Sequence, residues 1–145
     1  MKHLTVLLLA GMALPALAVG TTDWPAAIQG VASGDAHWIK KTPELAAVAD
    51  AHQAKQLEDA MSAALKTNTT ATLQALRIID AGKWPHMVGS DLVCTPPAEK
   101  SQAEIETFYQ RTRSALLETS DGAQCLWILE ASIEELKAEK SRQVK

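Results

Sequence analysis

Two strings of the form D-x-H, Asp35-Ala36-His37 and Asp50-Ala51-His52, hold the residue types of this sequence best suited to chemistry. An acid two residues from an imidazole can fix its tautomer or share a metal ion with it. The spacing alone is not selective, because positions two apart on a helix do not face each other and the pair works only in a turn. Ser33-Gly34 permits such a turn ahead of Asp35, whereas Asp50 is accounted for as a helix cap. His52 falls at helical spacing from Leu45 and Val48 and reads as a core histidine, while His86 stands beside Trp84-Pro85 in an irregular stretch. No H-x-x-x-H, H-E-x-x-H or cysteine pair at metal-ligand spacing occurs. A small-ligand or metal-binding role for Asp35, His37, His52 or His86 is therefore the second expectation, and no metal or cofactor is assigned.

Nucleophilic chemistry finds less support. The sequence has no G-x-S-x-G elbow, no Gly-rich phosphate cradle and no C-x-x-C. Paired carboxylates remain the one enzymatic route, yet the acids fall on faces expected to be wet. The chain is accordingly expected not to be an enzyme. Its two cysteines, Cys94 and Cys125, are expected to pair, which removes both as nucleophiles. Four tryptophans beside one phenylalanine and one tyrosine are a conspicuous excess. Trp127 falls off the apolar stripe of its segment, and Trp84 lies in a loop that the disulfide would hold close. Partly exposed tryptophans are characteristic of binding hot spots, so Trp84, His86 and Trp127 form the candidate surface for a protein partner.

The ends of the chain say where it works. Lys2 and His3 precede an apolar run from Leu4 to Leu14, followed by Pro15 and Ala16-Leu17-Ala18. This is the layout of a secretory signal peptide, with cleavage expected after Ala18 and a periplasmic or secreted product. The run is shorter than the roughly 20 residues of a spanning helix, so no membrane anchor is expected to remain. Loss of the segment takes the net charge from −3 to −4, which argues against nucleic acid as a partner. Residues 19–145 fit a single domain, and an oxidising destination suits the disulfide.

The elements that must position these residues all read as helices. Asp23 with Pro25 starts a short one carrying Trp24, Ile28 and Val31, and Trp38 and Ile39 are expected to reach the core. Thr42-Pro43-Glu44 starts another, with Thr42 as cap. The apolar set Leu45, Val48, Ala49 and His52 is rotated against Leu57, Met61, Ala64 and Leu65, which demands a break at Asp50, where Gln53 completes a capping box. Asn68-Thr69-Thr70, which also matches the N-glycosylation acceptor pattern, caps a helix with Leu73, Leu76, Ile78 and Ile79 that ends at Gly82. Lys83 to Ala98 reads as a loop with at most one helical turn near Asp91 to Cys94. Ser101 and Glu104 form a capping box ahead of Ile105, Phe108, Tyr109, Thr112, Leu116 and Leu117. Asp121 is expected to cap a last helix with Leu126, Leu129, Ile133 and Leu136 inside, and residues 140–145 to fray. No segment alternates as a strand does. The fold class is thus all-α, a bundle of about five helices with one disulfide, and the expected function is an exported, non-enzymatic protein-binding module with an inhibitor, immunity-like or accessory role.

Overall fold

The computed structural model describes residues 21–82 and 87–144. Eight helices and no strand occur among them: α1 (Trp24–Ala32), α2 (Ala36–Lys40), α3 (Thr42–Val48), α4 (Ala51–Thr67), α5 (Thr69–Ala81), α6 (Ser90–Val93), α7 (Gln102–Leu117) and α8 (Ala123–Gln143). The all-helical class and the disulfide are as expected; the helix count is not. The additional elements are short: α2 starts on the Asp35 side chain, whereas α3 and α6 start without a side-chain cap. The signal segment, Trp84 and His86 lie outside the described residues.

The break at Asp50 illustrates how local chemistry sets the architecture. Ala49 is extended, the Asp50 side chain accepts from the Gln53 amide at 2.8 Å, and the Gln53 side chain accepts from the Asp50 amide at 3.0 Å. The helix restarts in a new register and turns Ala54, Leu57, Ala60, Met61, Ala64 and Leu65 inward. α4 is the central element and packs on α1, α5, α6 and α7. Its most extensive partner is α1, and small buried residues on both helices, Ala27 on α1 and Ala54, Ala60 and Ala64 on α4, allow a close axial approach. Gly30 of α1 faces the Trp38 indole so closely that a Cβ there would overlap the ring, and this lets the half-buried Trp38 seal the core beside Ile39.

Several caps differ from expectation. Thr42 does not cap α3: it is the first helical residue, fully buried, and its hydroxyl donates to the Ile39 carbonyl at 2.7 Å. Asp121 does not cap α8, whose start at Gly122 has no side-chain cap; its carboxylate instead meets Arg77 of α5 at 3.3 Å. Asn68 does cap α5, accepting from the Ala71 amide, while its Nδ2 donates to the Gly34 carbonyl at 3.0 Å and so ties α5 to the α1–α2 turn. Ser101 and Glu104 close the expected capping box on α7. α8 remains helical to Gln143, through the segment expected to fray.

Cys94 and Cys125 are joined, with Cα atoms 5.4 Å apart and both residues buried. The bond ties the end of α6 to the first turn of α8. Three more contacts fix the same region. Ser62 of α4 donates to the Val93 carbonyl at 3.0 Å, Thr95 and Ser132 share a hydrogen bond at 3.3 Å, and Asp80 of α5 accepts from both the amide and the hydroxyl of Ser90. The short α6 is therefore stapled to α4, α5 and α8.

Candidate functional site

The D-x-H strings are both helix caps. Asp35 accepts from the backbone amides of His37 at 2.8 Å and Trp38 at 3.2 Å, so its carboxylate starts α2 and does not orient the imidazole. His37 is exposed, its ring edge-on to Trp38. His52, expected in the core, is exposed as well, and so is Val48 at 70%. The restart at Asp50 explains His52, which joins the Leu45 face only if α3 and α4 are one straight helix; Val48 is the last residue of α3 and is exposed at its end. Among the described residues no three His, Cys, Asp or Glu side chains are grouped to hold a metal ion.

Trp127, in contrast, stands out from the surface with 72% of its area exposed. Its position follows from the helix period. Leu129 is fully buried, and two residues back at 100° per residue turns Trp127 about 160° away, to the outward pole of α8. Leu117 occupies the corresponding pole of α7, nine residues and half a turn from the buried Phe108, and is 56% exposed. It was expected in the core stripe; the angle count from Phe108 is the signal that places it outside. Ile78 of α5 is likewise 61% exposed, not part of its helix's inner stripe. Its neighbour in sequence, Arg77, reaches Asp121 in the α7–α8 turn at 3.3 Å.

The backbone beneath this surface is held firmly. Cys125, two residues before Trp127, is disulfide-bonded to α6. Gly122 sits against the Leu116 carbonyl so tightly that a Cβ would lie 2.3 Å from that oxygen, which closes the α7–α8 turn. One turn beyond Trp127, Glu130 accepts from the Tyr109 hydroxyl at 2.8 Å on one oxygen and from Arg113 Nε at 2.8 Å on the other. The Tyr109 hydrogen bond, followed by the Arg113 ion pair, holds the Glu130 carboxyl below the usual carboxylate range. The same carboxylate raises the pKa of the Tyr109 hydroxyl. The three groups clamp α7 to α8 across their open edge.

The arrangement offers an exposed indole one turn from a carboxylate whose two oxygens are already hydrogen-bonded. Of the three residues in the candidate partner surface, the described structure covers Trp127 alone. No helix among the described residues is long and apolar enough to cross a membrane. Neither a protein-family model, nor a curated protein, nor a solved structure matches the chain.

Proposed function

We propose that the protein is an exported, non-enzymatic binding module that engages another protein through the outward face of the α7–α8 hairpin, with Trp127 as its anchor. The observation that carries the reading is the combination of exposure and rigidity at Trp127, a large indole left in solvent two residues from a disulfide. Tryptophan can bury about 150–250 Å² against a partner, and a side chain on a fixed backbone loses little further freedom on binding. The Tyr109–Glu130–Arg113 clamp, one turn along α8, supplies a polar rim. The buried disulfide supports an oxidising destination, in keeping with the leader-like start of the sequence.

A photoreactive amino acid placed at Ala131, one turn from Trp127, tests the proposal in the native host. A discrete adduct that disappears in Trp127→Ala supports it. The absence of any adduct, or the same adducts from a photoreactive group at Ala47 on α3, overturns it.

A further inference from the structure

The two ends of the Cys94–Cys125 bond are not held alike. Cys94 closes α6, and α6 is fixed without the bond: Val93 is fully buried, its carbonyl accepts from Ser62 of α4 at 3.0 Å, and Asp80 of α5 accepts from the Ser90 amide and hydroxyl at 3.0 and 2.6 Å. Cys125 stands in the first turn of α8, where little else holds the chain. Gly122 at the N-cap offers no side chain to the free amides of that turn, and no acid lies within it to meet the positive end of the helix dipole. Ala123 and Gln124 are exposed, Leu126 and Ile128 are half-buried, and beyond Cys125 itself the first buried side chain is Leu129. The ion pair of Arg77 with Asp121, just ahead of the helix, is exposed on both sides and therefore weak in water.

A helix start with neither a side-chain cap nor a buried apolar residue of its own frays unless something tethers it. Here the tether is covalent, and it passes the anchorage of α6 to the first turn of α8. From Leu129 onward the helix no longer depends on it. Leu129 and Ile133 are buried, Ser132 shares a hydrogen bond with Thr95 at 3.3 Å, and Glu130 is bound by Tyr109 and Arg113. Trp127 falls on the dependent side of that boundary, two residues after Cys125 and two before Leu129.

We infer that the Cys94–Cys125 bond is a redox lock on the Trp127 face: with the bond open, Ala123–Ile128 leaves the helix while α6 and the rest of α8 stay folded, and Trp127 is no longer presented on a fixed backbone. The functional half of this inference rests on the reading of Trp127 as an anchor; the structural half does not. The bond closes when the two cysteine thiols give up two electrons and two protons to a disulfide-bearing oxidant, which is reduced to two thiols. One cysteine sulfur first forms a mixed disulfide with the oxidant, and the other then displaces the oxidant's thiol. Once the fold closes both cysteines are buried, out of reach of an attacking thiolate. The lock therefore sets in one direction: a chain held in reducing surroundings lacks an anchored Trp127, and a chain that has met the oxidant keeps one.

Backbone NMR of the full chain, comparing the parent with Cys94→Ala/Cys125→Ala, tests the lock. In the double variant the Cα shifts of Ala123–Ile128 are expected to fall to random-coil values, while those of Ser90–Val93 and Leu129–Gln143 stay helical. Alanine is a better helix former than cysteine, so the substitution works against the expected fraying. Sodium sulfate, which strengthens apolar burial, restores the fold for the same comparison if plain buffer does not support it. Helical shifts throughout Ala123–Ile128 in the variant overturn the lock. So does a variant that stays unfolded in sulfate, because the bond then carries the whole fold and not one segment. For a partner captured through Ala131, the double variant should bind about thirtyfold or more weakly than the parent, since the segment must then be ordered on binding. Equal affinity, with Trp127→Ala still weakened, overturns the functional half. The NMR comparison needs no partner, so its failure leaves the Trp127 reading intact, whereas Trp127→Ala binding as tightly as the parent strikes that reading and leaves the NMR result standing.

Discussion

Replacing both Cys94 and Cys125 with alanine perturbs the fold at its best-defined covalent constraint. The bond spans 31 residues of sequence. In the chain-entropy model a loop of that size deprives the unfolded state of about 12 cal/mol/K, or about 4 kcal/mol at room temperature. For a chain of 145 residues each kcal/mol moves the melting temperature by about 3 °C, so the double variant should melt about 12 °C lower. Both sulfurs are buried, and the small cavity left by alanine adds to the loss. Circular dichroism melts of the double variant, and of the parent with and without a phosphine reductant, measure the effect without thiol scrambling. A shift of under about 3 °C would refute the reasoning, because it would mean that α6 and α8 are held by their other contacts. Mass spectrometry of the native protein should find no thiol open to alkylation; two modified cysteines would refute it outright.

Gly122→Ala places a Cβ 2.3 Å from the Leu116 carbonyl oxygen, a backbone atom that cannot turn aside, and should cost about 1–3 kcal/mol in urea denaturation. The Thr112 hydroxyl is fully buried and has no hydrogen-bond partner among the described residues, so Thr112→Val should raise stability by about 1 kcal/mol. Glu130→Gln tests the α7–α8 clamp through its pH dependence. Because the folded carboxyl has a lowered pKa, its contribution is complete above the unfolded carboxylate range and drains away as the pH falls through the folded value. The stability difference between parent and variant should therefore be present at neutral pH and shrink below about pH 4; a constant difference would show that the charge on Glu130 is not what the clamp uses.

Features set within one turn of chain were legible in the sequence, and those set by distant partners were not. The break at Asp50 could be read because both halves of its capping box lie within four residues, and the same holds for Ser101 with Glu104. Asp121 misled because a tertiary partner outbid the local cap, Arg77 from a helix far back in the sequence taking its carboxylate, whereas Thr42 is lost to a local competitor, the Ile39 carbonyl three residues before it, which accepts its hydroxyl. His52 illustrates a consequence of a correct reading left undrawn, since the restart at Asp50 already removes it from the Leu45 face. Trp127 could be recognised as off-stripe by periodicity, whereas Leu117 and Ile78 were absorbed into stripes that strict angle counting does not allow.

Whether Trp127 anchors a protein partner is decided by the affinity of that partner once crosslinking has captured it. Titration calorimetry on the parent, Trp127→Ala and Val48→Ala compares two side chains of nearly equal exposure, 72% and 70%, on different faces. A hot-spot tryptophan is worth at least about 2 kcal/mol, so Trp127→Ala should weaken binding by about thirtyfold or more while Val48→Ala leaves it unchanged. Equal affinities for the parent and Trp127→Ala would contradict the account.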